Sequence, residues 1–425
     1  MTRAWILLSL VSILGCTQRD DASRAASTVL IFKHGRLSGD ERTLSGLLRE
    51  FERRHPGVTV REEVLPSSSD QQHQYYTMSL DGGRAPFDVL SLDVIWVQEF
   101  AKAGWIAPLD DLPPTIRRED FFPGPIEAAT RDGGLYAVPW YIDAGVLYYR
   151  KDLLERYALD PPRTWPELLR AARLVLDAER DPKLAGFVWQ GKQYEGLVCV
   201  ALEVLRSNGS DLWVGDRDRA EEGLQLLRDL VWTHKITPLS IGMADEDSTR
   251  LLFGEGRALF MRNWPYAWSL LQREGSPVRG KVGIAPVPAF SGFPGVSVLG
   301  GWLLAVAKHS PHQKEARDLV GFLTSPDVQR RMAMELGYNP TRIALYAEQT
   351  LSDAKPIFKD LFPIFLSARP RPITPYYLLL SQAAQPELSA LVVGTKEPRD
   401  VLRTVRRQRD WLLPRLATAS TEREP

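Results

Sequence analysis

Carboxylates, aromatic rings and glycines stand together at four places in the chain. Trp96 follows Asp93, Trp140-Tyr141 precede Asp143, Trp264-Pro265-Tyr266 form one short stretch, and Gly300-Gly301-Trp302 form another. A neutral sugar has apolar C–H faces that pack on aromatic rings, and a rim of hydroxyls that bond in pairs to carboxylates or an arginine fork. A cleft holding one therefore needs these two residue types interleaved. Any single Trp suits a core equally well, because Trp is highly buried on average; the conjunction of four such loops favours a binding cleft.

Signatures of covalent or cofactor chemistry are missing from the sequence. No GxGxxG follows the first strand, and there is no GxxxxGK[ST] loop, HExxH helix or GxSxG elbow. Of the six histidines, only His309 and His312 approach metal-ligand spacing, and zinc needs three or four ligands. The two cysteines, Cys16 and Cys199, exclude a disulfide framework and a multi-cysteine metal site. No metal or cofactor is expected. Lys plus Arg and Asp plus Glu both number 53, so a global basic field for nucleic acid is excluded as well.

The elements that must carry these loops alternate. Residues 28–33 are a short β-type run, residues 40–54 have helical spacing through Leu44, Leu47, Leu48 and Phe51, and His55-Pro56-Gly57 stops that helix before a strand over 58–64. An apolar run over 87–92 leads into helical 94–102, so the opening is βαβαβ and the class is α/β with helices on both sheet faces. Thr164-Trp-Pro-Glu167 predicts a capping box, while Ser310-Pro311 and Ser325-Pro326 predict hydroxyl caps before a first-turn proline. Late strands are predicted near 257–261, 281–285 and 303–307. At 425 residues the chain is too long for one sheet, and no disordered linker divides it, so two lobes crossed more than once by the chain are expected.

The first residues read as an export signal. Arg3 precedes an apolar run over 4–14, too short to span a membrane, which takes about 20 residues as a helix. Gly15-Cys16 then resembles a bacterial lipoprotein cleavage box, so residues 1–15 are read as a signal peptide, Cys16 as the lipidated N-terminus, and 16–27 as a polar tether. Cys199 is then a lone cysteine in an exported chain, expected as a small buried hydrophobe.

Several stretches resemble the extracellular solute-binding proteins of ABC sugar importers, in particular the trehalose/maltose-binding branch. They are FDVLSLDVIWVQEFAKAGWIAPLD (87–110), PWYIDAGVLYYRKDLLE (139–155), FVWQGKQYEGLVC (187–199), NWPYAW (263–268), and VLGGWLLAVAKHS (298–310) with RPRPITPYY (369–377), in the family's order. The resemblance implies a two-lobe periplasmic-binding-protein fold of type II, with hinge strands crossing between an N-lobe (28–140 and 302–342) and a C-lobe (141–301 and 343–425). It implies that the lobes close on a sugar.

Carried over by position, Asp93 accepts hydroxyls at the end of its strand. Tyr141 and Asp143 contact the sugar from the cleft floor, Trp264 and Tyr266 stack from the C-lobe, Gly301 admits close backbone approach, and Trp302 closes the other side. Arg371 offers its fork, and Asp40 matches an acidic position after the first strand, with Glu41 as the alternative because KHGRLSGDE departs from the usual loop. Gln72 and His73 stand where relatives carry arginine. Other roles stay open: Asp93 suits a helix N-cap, Asp143 before Ala-Gly suits a turn, and Arg371 suits a structural ion pair.

The function implied is that of a monomeric, lipid-anchored carrier at the outer face of the cell membrane. It would deliver an α-linked glucose disaccharide or short oligosaccharide to permease subunits, without contact with nucleic acid. A glycoside hydrolase using Asp93 and Asp143, or the same fold binding a charged solute, are the alternatives.

Overall fold

The computed structural model describes residues 28–421 apart from 38, 67, 84–85 and 113–115, and the side chains of those residues except Glu41 and 414–421. The expected signal segment, Cys16 and the tether lie outside the described residues. No helix among the described residues is long and apolar enough to cross a membrane.

Eleven strands run β1 (Thr28–Gly35), β2 (Val58–Leu65), β3 (Val89–Asp93), β4 (Thr130–Arg131), β5 (Gly134–Leu135), β6 (Val138–Ala144), β7 (Val146–Arg150), β8 (Ala185–Val188), β9 (Ala258–Asn263), β10 (Val282–Ala285) and β11 (Leu299–Val306). They form a five-stranded sheet in the order β2-β1-β3-β11-β6, a four-stranded sheet in the order β10-β7-β9-β8, and the small pair β4-β5. In the first sheet β1 is parallel to β2 and β3, while β11 is antiparallel to β3 and β6. The α/β class and the two-lobe arrangement follow from this topology.

Local chemistry accounts for most of the elements. The helix Glu41–Arg54 buries Leu44, Leu47, Leu48 and Phe51 on one stripe. Thr164 and Glu167 make both halves of the predicted capping box on the helix Trp165–Glu179. The two Ser-Pro caps behave differently. Ser325 holds the N-cap position of the helix Pro326–Arg331, but its hydroxyl donates back to the Phe322 carbonyl. Ser310 accepts the His312 amide, and the helix itself begins only at Gln313. The predicted helix over 94–102 shortens to Val97–Lys102, because Asp93 first closes a turn on Ile95 and Trp96. The helix Glu195–Arg206 is apolar on nearly all sides and is accordingly buried from Glu195 to Leu205, with the Cys199 thiol inside it.

The chain passes between the lobes in three places, the first two from strand to strand. The first passage is Gly145 alone, between β6 and β7, and the second is the segment between β10 and β11. The third runs from the turns after the helix Pro326–Arg331 through the helix Ile357–Ser367 to the helix Tyr377–Val392. All three meet at Val298: its carbonyl accepts the Gly145 amide at 3.2 Å, and it bridges to Arg369, whose carbonyl accepts the Leu299 amide at 2.8 Å. The expected boundaries at 140/141 and 301/302 therefore fall inside strands. Residues 141–144 remain paired with 299–302 in the first sheet, because two strands that pair in register leave together, and the switch comes where pairing ends.

Candidate functional site

Strand register gathers the loop residues. Trp302 of β11 pairs with Asp93 on one side and Tyr141 on the other, while Gly300 pairs with Asp143. Paired residues, and residues two apart along a strand, share a face. Asp93, Trp302, Tyr141 and Asp143 thus form one patch on one face, at the edge where β6 leaves for the other lobe. Trp264 immediately follows β9 of the second sheet, and its ring lies so close to Gly300 that a Cβ there would sit 3.0 Å from it. The cleft floor comes from the N-lobe sheet and one wall from the C-lobe.

Each ring is held by a neighbour. Trp302 meets Trp96 edge-on, with centroids 5.4 Å apart, and Tyr141 packs on Tyr338 at 4.5 Å. The Trp264 indole N–H donates to Glu246 at 3.2 Å, and the Arg262 guanidinium lies 4.1 Å from its ring centre. Tyr266 is only partly buried, and its hydroxyl donates to Asp247 at 3.5 Å. Gly301 adopts φ +117°, where a Cβ would fall 2.5 Å from the Tyr141 carbonyl oxygen. Gly301→Ala is expected to destabilise the fold by about 1–3 kcal/mol through this backbone clash, measured as a lower urea midpoint at unchanged slope; an unaltered midpoint would show that the strand can shift freely.

The carboxylates occupy unlike settings. Asp93 Oδ1 accepts the Ile95 amide at 3.2 Å and Arg371 Nη2 at 3.1 Å, while Oδ2 carries no hydrogen bond among the described residues. One oxygen thus serves both the turn into the helix Val97–Lys102, whose N-cap position falls to Trp96 and not to Asp93, and the ion pair open to Arg371, while the other remains an acceptor. Burial pushes the Asp93 carboxyl above the usual carboxylate range, with the Arg371 guanidinium pulling the other way. Asp143 Oδ1 accepts Asn339 Nδ2 at 3.2 Å. Burial pushes this carboxyl up to about 7, against the Asn339 hydrogen bond, and the charge of Asp93 adds to the rise.

Arg371 departs from the role implied for it. It is 5% exposed, with Nη1 donating to Glu195 at 2.9 Å and Nη2 to Asp93. Glu195 is itself fixed by the Tyr377 hydroxyl at 2.6 Å and by the Ser381 hydroxyl. Both Nη atoms therefore go to protein carboxylates, one from each lobe, while Nε has no hydrogen-bond partner among the described residues. Asp40 is not drawn into the cluster either. It caps the helix Glu41–Arg54 by accepting the Arg42 amide, and the Arg42 fork, exposed beside it, holds its carboxyl down to about 2. Gln72 donates to the Pro66 carbonyl, and His73 packs on Trp96 while bonded to Glu99 at 2.8 Å.

Glu195, Glu246, Asn339 and Tyr338 complete the site without having been singled out from the sequence. Glu195 lies in a stretch whose likeness to relatives was legible, but nothing local marks it as the partner of a residue 176 positions away. Among the described residues no cluster of three or more His, Cys, Asp or Glu could hold a metal ion.

The chain matches the description bacterial extracellular solute-binding protein over residues 37–330. It belongs to that family. Among curated proteins it is similar to a probable ABC transporter-binding protein of Deinococcus radiodurans, with 36% identity over 83% of this chain and 86% of the relative. It is also similar to a mannitol-binding protein of Pseudomonas aeruginosa, at 26% identity over 72% of each chain. Among solved structures, maltose-bound MalE3 of T. maritima superposes with a TM-score of 0.84 at 38% identity, covering 91% of this chain and 100% of that one. The family is one of solute-binding proteins, and in this solute-binding protein the patch on the β3-β11-β6 face sets rings beside carboxylates.

Proposed function

We propose that this protein is the carrier subunit of an ABC sugar importer. It takes an α-linked glucose disaccharide or short oligosaccharide, of the maltose or trehalose type, into the cleft and hands it to permease subunits. The observation that carries this reading is the patch Asp93, Trp302, Tyr141 and Asp143 on one sheet face, opposed by Trp264 from the other lobe. Rings on both sides suit a solute with two apolar faces, which a pyranose has and an open-chain polyol such as mannitol lacks. Free carboxylate oxygens beside the rings suit its hydroxyls. Removal of residues 1–15 and lipidation of Cys16 would place a monomeric carrier outside the membrane, beside its permease.

Titration calorimetry with maltose, trehalose and mannitol, followed by assay of the recovered sugar, tests this. Stoichiometric binding of a disaccharide recovered unchanged is expected; glucose release with turnover would favour the hydrolase, and binding of mannitol alone would overturn the disaccharide. Trp302→Ala is expected to weaken disaccharide binding at least tenfold, about 1.4 kcal/mol, because it removes a stacking face that Trp96 already holds in place. Equal affinity in the variant would remove Trp302 from the site.

A further inference from the structure

Beneath the cleft the C-lobe buries an ion pair. Arg262, in β9, is 2% exposed and Glu203, in the helix Glu195–Arg206, 1%. Arg262 Nε and Nη2 donate to the two Glu203 oxygens at 2.7 and 2.6 Å, and Nη1 donates to Gln190 Oε1 at 3.0 Å. Two charges withdrawn from water are a weak source of stability, since apolar replacements of such pairs are often neutral or better. Stability alone therefore does not explain the pair. Its position does.

Glu203 Oε1 also accepts the Val298 amide at 3.2 Å, at the point where the three passages between lobes meet. Gly145, the whole of the first passage, lies directly on the pair: a Cβ there would fall 1.8 Å from Glu203 Oε1 and 2.5 Å from Arg262 Nη2. On its other side the pair supports the cleft wall, because the Arg262 guanidinium lies 4.1 Å from the centre of the Trp264 ring. One buried pair thus touches the stacking ring, the first passage and the second, and reaches the third through Val298.

We propose that Glu203 and Arg262 are positioning residues that set the plane of Trp264 and the stiffness of the lobe passages together, so that a solute against Trp264 and the closure of the lobes act on the same element. The part concerning solute rests on the cleft reading above; the part concerning the passages does not.

Hydrogen exchange by mass spectrometry on the sugar-free protein tests the second part without any ligand, using the double variant Glu203→Leu/Arg262→Met, which leaves no unpaired charge. Exchange about tenfold faster is expected in segments containing Gly145 and Arg369, neither of which bonds to the pair, with β8 and the N-lobe strand β1 unchanged. Unchanged passages overturn the proposal, and so does a uniform rise across the C-lobe, which would mark a merely structural pair. The milder Arg262→Lys keeps a charge but loses the fork and the plane. It is expected to move passage exchange in the same direction by less and to weaken maltose binding about tenfold, and it carries the test alone if the double variant does not fold. Unchanged passage exchange in a folded Arg262→Lys protein then overturns the proposal. A wild-type protein that fails to bind maltose counts against the sugar reading, while the exchange result still decides the role of the pair in the passages.

Discussion

Arg371→Ala is expected to lower folding stability by about 3–5 kcal/mol, the usual consequence of removing one partner from a buried ion pair. The guanidinium is the cation that faces both Asp93 and Glu195, whose side chains are only 15% and 10% exposed. Without it two carboxylates remain buried, and one of the ties between lobes is lost, since Asp93 ends a strand of the first sheet and Arg371 approaches from the segment before the helix Tyr377–Val392. Urea unfolding near pH 7 measures the loss. The deficit should shrink toward acid pH, as protonation of Asp93, whose carboxyl burial already raises, removes a charge that burial penalises. A loss under about 1 kcal/mol, in the range of an exposed pair, would show that water reaches the bridge.

Asp143→Asn is expected to stabilise the protein at pH 8 while abolishing much of its affinity for sugar. Burial raises the carboxyl from an ordinary 3.8 to about 7, so the folded state binds the proton more tightly than the unfolded one. Stability from this group is complete below about pH 4 and is lost as pH rises through 7. At 1.36 kcal/mol per pH unit of difference, a rise of this size costs about 4 kcal/mol at pH 8. The amide introduced by the substitution carries no charge, and its oxygen can still accept the Asn339 donor, so the variant avoids that cost. Thermal unfolding of both proteins at pH 4 and pH 8 should show near-equal stability at the lower pH and an advantage for the variant at the higher one. An advantage of the same size at both pH values would mean that the carboxyl titrates normally. Disaccharide affinity at pH 8 should fall about tenfold or more with the loss of a charged acceptor, which would make Asp143 a residue retained for binding at the expense of stability.

Much of this site was legible as a set of residues and not as an arrangement. Rings beside glycine and carboxylate are chemically conspicuous, and of the loops that carry them Tyr141, Asp143, Gly300 and Trp302 come together with Asp93 while the Trp264 ring approaches Gly300; the Trp96 and Trp140 rings are buried, Trp96 behind Trp302 and Trp140 against Phe32. Asp40 misled because an acidic residue before a helix has two uses, and here the nearby Arg42 and the helix amide take it. The Arg371 fork bonds Asp93 and a glutamate that no local pattern connects to it, so the structural ion pair that the sequence also allows is formed. The supporting groups Glu246, Asn339 and Glu203 were illegible for the same reason.

By itself the sequence determined what near neighbours decide: the alternation of strand and helix, the amphipathic stripe of 41–54, the capping box at Thr164, and the residue types that could grip a sugar. Those depend on interactions within a turn or two of chain. Tertiary structure alone decided which oxygens and rings meet, because periodicity specifies the apolar face of a strand and leaves its partner open. The register that sets Trp302 between Asp93 and Tyr141, the 278-residue reach of Arg371 to Asp93, and the burial that lifts Asp143 all arise only when distant strands pair and exclude water between them.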